Sequence, residues 1–211
     1  MPAFAGLAHP SGPEDRPFTE RTIRILGTKE DAFVTLAYPK PEDIVDRSSN
    51  GSYSVSSPFS SALYLWYEYR GYFWQGKYGT VIVDVQLIKR TPNAEPIKDL
   101  NALLQAVRIR SNLRNGMTKG PPESRQVWGE PFVSQLNGIP CVQQYMDWGT
   151  YLKVDRSYFI PMEEDQALEI QISVVDNSDI PGKPPSDWLP RAEAFVSQLL
   201  STVKVRVEAK K

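Results

Sequence analysis

Any chemistry in this chain has to come from a small stock of side chains. The sequence holds one histidine, His9, and one cysteine, Cys141, in 211 residues. Nucleophilic catalysis of the Ser–His–Asp or Cys–His kind needs a base held beside the nucleophile. His9 sits in a Pro-, Gly- and Ala-rich opening stretch without periodicity, and no evident activator accompanies Cys141. A lone free cysteine usually behaves as a buried, inert apolar residue. It cannot pair within the chain, so it fixes no redox compartment. Zinc needs clustered Cys and His, and phosphate-cradling Gly-rich loops have their own signatures; the sequence contains neither pattern.

Two carboxylate runs remain, "MEED" at 162–165 and "DNSD" at 176–179. Grouped acids such as Glu163, Glu164 and Asp165 can bind a hard cation or move protons. Adjacent acids between two strands more often form a solvated turn, and Asp and Asn are ordinary turn residues. Arg108, Arg110, Arg114 and Lys119 gather near the end of a predicted helix. They could grip phosphate or an acidic partner, but they also favour the negative end of a helix dipole without any ligand. The expectation is no catalytic residue, no metal site and no cofactor.

The most unusual segment is "YLWYEYRGYFWQGKYG", 64–79, dense in Tyr, Trp and Phe. On a strand, alternate residues face opposite sides. One set, Tyr67 and Tyr69 or Tyr64 and Trp66, enters a core and the other faces something else. Helices on both sheet faces would make both sets core. Left exposed, such aromatics offer large contact area at low entropic cost, which suits protein contact or stacking on a sugar. Gly71, Gly76 and Gly79 would let the tip project. The candidate binding residues are Trp66, Tyr72, Trp74 and Tyr78.

The elements that would position these residues read as follows. "RTIRIL" (21–26), "FVTLAYP" (33–39), "ALYLWYEYR" (62–70) and "TVIVDVQLI" (80–88) alternate as strands do. Residues 40–52 read as a loop with one helical turn after Pro41. A helix capped by Asp99 carries the stripe Leu100, Leu103, Leu104, Val107. Asn137-Gly138 marks a hairpin, since both residues tolerate positive φ. Two more strands, 151–161 and 167–175, follow. A helix capped by Asp187 then runs into a short basic strand or tail. It buries Trp188, Ala192, Phe195, Val196, Leu199 and Val203, with Arg191, Glu193 and Gln198 outward. The fold class is α+β, a mainly antiparallel sheet flanked by helices, and the terminal helix closes the core. Residues 1–20 read as a flexible tail and 21–207 as one domain.

Charge excludes one broad class. With 24 basic and 25 acidic side chains the net charge is −1, unlike the basic excess of a general nucleic-acid binder. No apolar run approaches the ~18 residues of a transmembrane helix. The opening residues lack the charged and apolar regions of a signal peptide.

"GIPCVQQYMD", "YLKVDRSYFIP", "ALEIQISVVD" and "WLPRAEAFVSQLLSTVKV" together resemble the C-terminal half of PsbP-like proteins. Those proteins repeat a hairpin, two strands and a closing helix ending in Ser-x-Lys. "YGTVIVDVQLIKRTPNAEPIKDLNALL" is similar to their strand, loop and helix pattern. The resemblance spans residues 20–205 by pattern rather than by a diagnostic motif, and the aromatic stretch 62–79 departs from it. It implies an α/β/α sandwich and a mostly non-catalytic family of lumenal photosystem proteins, envelope lipoproteins and secretion adaptors.

The expected function is therefore protein–protein binding by a bacterial envelope or secretion-associated protein of immunity or adaptor type. The alternative is a carbohydrate- or lipid-binding domain using the aromatic hairpin. Localisation would be periplasmic or membrane-anchored if a signal has been removed, and cytoplasmic otherwise.

Overall fold

The computed structural model describes residues 12–27, 29–46, 61–70, 77–90, 95–117, 127–147, 152–163, 165–176 and 188–210. Eleven strands and two helices follow one another within them. The strands are β1 (Thr19–Leu26), β2 (Glu30–Tyr38), β3 (Asp43–Asp46), β4 (Leu63–Arg70) and β5 (Lys77–Lys89) before the first helix, α1 (Leu100–Met117). Then come β6 (Val127–Trp128), β7 (Phe132–Leu136), β8 (Ile139–Asp147), β9 (Leu152–Glu163) and β10 (Gln166–Asp176). Helix α2 (Trp188–Ser201) and β11 (Lys204–Ala209) complete the chain.

The class is α+β and the pairing antiparallel, as the alternating pattern requires. The strands divide into two sheets. An eight-stranded sheet runs β3-β4-β5-β10-β9-β8-β6, with β7 also on β8, and a three-stranded sheet runs β1-β2-β11. The 40–52 stretch differs from its expectation: Asp43–Asp46 extends along β4 as an edge strand instead of forming a helical turn. The stretch after α2, read as a short basic strand or a tail, is a strand that pairs with β2 through Lys204↔Thr35 to Ala209↔Glu30.

The large sheet has two distinct faces. Its inner face carries Leu65 and Tyr67 of β4, Val81, Val83 and Val85 of β5, and Leu168, Ile170 and Ile172 of β10. Onto these pack Ile23, Ile25, Val34 and Leu36 of the small sheet and Trp188, Ala192, Phe195, Val196 and Leu199 of α2. Phe195 meets Tyr67 edge-on, with ring centroids 4.8 Å apart. The outer face holds a smaller cluster, where Leu103, Ala106 and Val107 of α1 cover Val142, Phe159 and Ala167. Asp99 caps α1, its carboxylate accepting the Ala102 N–H at 2.8 Å.

Turns and close approaches fall where residue type permits. Asn137 and Gly138 take φ of 51° and 80° in the β7–β8 hairpin. Asn137 also serves α2: its amide donates to the carbonyls of Leu200 at 2.6 Å and Val203 at 2.9 Å. The first is one of the acceptors a helix C-terminus leaves open, and the second lies just past the helix end. Gly79 lets the α2 start press onto β5, since a Cβ there would stand 2.3 Å from the Trp188 ring.

Part of the opening segment expected as a tail is built into the fold. A 3-10 turn, Pro13–Asp15, directs Glu14 between strand and helix. Glu14 accepts the Tyr69 hydroxyl at 2.9 Å and the Arg191 Nε–H at 2.5 Å. Arg191, expected to point outward, is thereby drawn against the 3-10 turn. Phe18 lies edge-on to Phe195 at 6.0 Å. Among the described residues no helix is long and apolar enough to cross a membrane.

Candidate functional site

Alternation along β4, β5, β10 and β9 sends polar residues to the outer face opposite each core residue. Register then assembles them across strands. Tyr64 lies across from Asp84, Asp84 from Gln171, and Gln171 from Ser157. A neighbouring row joins Gln86 to Glu169, and Ser173 faces Asp155. Helix α1 covers this face over β8, β9 and the Ala167 and Ile88 ends of β10 and β5. Its Arg110 forms one wall and half-buried Tyr64 and Trp66 of β4 form the opposite rim. The result is a polar trough in the relief of the side chains, closed to solvent over Glu169 and Asp155, on the side of the sheet away from α2.

Its floor holds three carboxyl groups. Glu169, 3 % exposed, accepts from Gln86 Nε2 at 3.0 Å and pairs with Arg110 at 3.2 Å. Asp155, 4 % exposed, accepts from Gln171 Nε2 at 3.1 Å and Ser173 Oγ at 2.9 Å. Burial is the largest influence on Asp155, opposed by those hydrogen bonds and reinforced by the Glu169 charge; it is pushed up to about 7. Asp84 is pushed up to about 6, again chiefly by burial, with a Ser61 hydrogen bond opposing and Glu169 reinforcing. One oxygen of Asp84, Oδ1, is buried without a hydrogen-bond partner. Near neutral pH, Asp84 can therefore stand as donor or acceptor to an incoming group, and Asp155 as either to Gln171 and Ser173.

The rim is aromatic. The Tyr64 and Trp66 rings lie 6.4 Å apart, the Trp66 indole donates to Glu68 at 3.1 Å, and the Lys77 ammonium sits 5.1 Å over the Trp66 ring. Such a rim and floor can stack on a flat apolar surface while hydrogen-bonding hydroxyls or amides beside it. Among the described residues no group of three or more His, Cys, Asp or Glu could hold a metal ion.

The residues singled out in the sequence scatter. Trp66 is on the trough rim. Tyr78, expected at a projecting tip, is instead buried against Trp188 with ring centroids 6.0 Å apart. The cause is a register shift between β4 and β5, which makes Tyr78 the extra residue of a bulge and turns it inward. Tyr72, Trp74, His9, Lys119 and the Glu163 side chain lie outside the described residues. Cys141 is fully buried, and burial pushes its thiol up to about 11. The arginines of α1 do not converge: Arg108 pairs with Glu130 while Arg110 turns to Glu169. Sequence reasoning missed Asp155 and Glu169 as a group. Their signal was present as acids at outward positions of apolar strands, but only the order β5-β10-β9 brings them together.

Comparisons of the chain with protein-family models, curated proteins and solved structures find no match.

Proposed function

We propose that this is a non-enzymatic binding protein whose partner is another protein and whose contact surface is the trough on the outer face. The observation that supports it best is the half-buried Tyr64–Trp66 pair on the outer face of β4, where α1 does not reach among the described residues. Aromatic side chains beside satisfied polar groups are the usual anchors of protein interfaces. The finer reading, a PsbP-like sandwich from the bacterial envelope or a secretion system and acting as an immunity protein or adaptor, rests on the strand–helix order and on the patterns quoted above.

The test starts from affinity capture of the partner. Trp66→Ala should then weaken its binding by ~2 kcal/mol or more, the scale of an interface hot spot, with little change in melting temperature. Unaltered affinity in the folded variant would refute the assignment of the trough.

A second reading is supported by the trough floor: a small polyhydroxylated ligand, stacked on Trp66 and hydrogen-bonded by Asp84, Gln171 and Asp155. A glycan array would separate the two readings, because saturable binding of one sugar that is lost in Gln171→Ala favours the small ligand.

A further inference from the structure

The inner face is not covered throughout. Where β6, β7, β8 and β9 meet, Val127, Phe132 and Tyr145 remain 47 %, 40 % and 49 % exposed. Register puts them on one face. Val127 pairs with Asp147 and Phe132 with Gln143, positions that share their side of β8 with Tyr145 and with the core residue Cys141. The Phe132 and Tyr145 rings stack at 5.9 Å, and Gln143 Nε2 donates to the Tyr145 hydroxyl at 3.0 Å.

Directly across from Tyr145 on β9 is Arg156. It is half-buried, and it hydrogen-bonds the Tyr158 phenol. Its Nε–H is buried and has no acceptor. Other arginines here meet carboxylates, as Arg24 does with Asp31, Arg110 with Glu169 and Arg191 with Glu14. Among the described residues no carboxylate forms such a pair with Arg156. A buried donor without an acceptor and a half-desolvated cation without a counter-charge are both unfavourable. What the described residues of this corner do not supply is an anion for Arg156 bordered by apolar groups.

We infer that this corner is a docking surface for a protein partner that sets an Asp or Glu carboxylate against Arg156 and lays apolar side chains on Phe132 and Tyr145. Arg and Tyr are over-represented among the residues that dominate interface energies, and a planar guanidinium pairs with carboxylate in a fixed geometry. Among the described residues this corner offers one cation, Arg156, and shares its side of β8 with Asp147, a poor site for a nucleic-acid backbone, which needs several cations. This surface lies on the opposite side of the sheet from the trough and does not depend on it. Together they would let one small domain bridge two partners.

The probe is a displayed library of random 12-residue peptides selected against the whole protein. Enriched peptides should share an acidic residue flanked by aromatic or aliphatic ones. Their affinity, read by fluorescence anisotropy, should fall at least tenfold in Arg156→Gln and in Tyr145→Ala, and stay unchanged in Trp66→Ala. It should also weaken as salt rises. Tyr145→Ala alters an exposed side chain and keeps the test informative if Arg156→Gln folds poorly. Three results would each overturn the inference: no enrichment, enriched peptides without an acid, or affinity indifferent to both variants. Sedimentation that finds a concentration-dependent dimer, broken by Tyr145→Ala, would overturn it in favour of a second copy of this chain as the occupant.

Discussion

Replacing Asp155 with Asn should make the protein more stable at pH 8, and by a smaller margin at pH 5. Asp155 lies on the trough floor, and burial raises its carboxyl from 3.8 to about 7. Between those values the folded chain holds a proton that the unfolded chain has released. Its unfolding free energy therefore falls as pH rises through that window. The contribution is fully present below pH 4 and gone above pH 7. The shift is about 3 units at about 1.4 kcal/mol each, so ionising Asp155 in the folded protein costs about 4 kcal/mol. An asparagine presents the donor and acceptor set of the protonated acid, so it can still accept from Ser173 while Gln171 turns its amide to suit. The assay is urea unfolding at pH 5, 6, 7 and 8 for both proteins, with equal slopes required before midpoints are compared. The variant should exceed the parent by about 1.5 kcal/mol at pH 5 and by up to about 4 kcal/mol at pH 8. An equal loss at every pH, or a variant less stable at pH 8 than at pH 5 relative to the parent, would refute the reasoning. It would mean that the ionised carboxylate is well compensated by Gln171 and Ser173. Asp84, pushed up to about 6, should keep a smaller slope of the same sign in the variant.

Three further outcomes follow from packing and hydrogen bonding. Phe195→Ala removes a fully buried ring held between Tyr67 and Phe18; chemical denaturation should report a loss of ~3–5 kcal/mol. Gly79→Ala drives a methyl group into the Trp188 ring, so calorimetry should show destabilisation of ~1–3 kcal/mol, relieved in part by Trp188→Leu. Asn137→Ala removes the amide that donates to the Leu200 carbonyl at the end of α2 and to the Val203 carbonyl beyond it, and it puts alanine at a positive φ that asparagine tolerates better. A fall of ~1–3 kcal/mol is expected, with faster amide exchange at Thr202 and Val203 as the local signature.

Much of the fold follows from local pattern alone. Alternation in "TVIVDVQLI" and "ALEIQISVV" dictates strands with one apolar side, because a side-chain period of two leaves no other way to bury Val81, Val83, Leu168 and Ile170 together. The α2 stripe is equally local, as are the Asn137-Gly138 hairpin and the Asp99 cap. Each depends on residues a few positions apart. Sequence alone could not divide the strands into two sheets. It could not reveal that Asp43–Asp46 pairs with β4, or that Glu14 reaches residues 55 and 177 positions away. It also gave no sign of the bulge that turns Tyr78 from a candidate contact into core, because one inserted residue reverses a side chain and leaves composition untouched. The trough and the Arg156 corner belong wholly to tertiary structure. Asp84, Asp155 and Glu169 become neighbours only because β10 runs between β5 and β9, and that order reflects the long-range burial of the inner face.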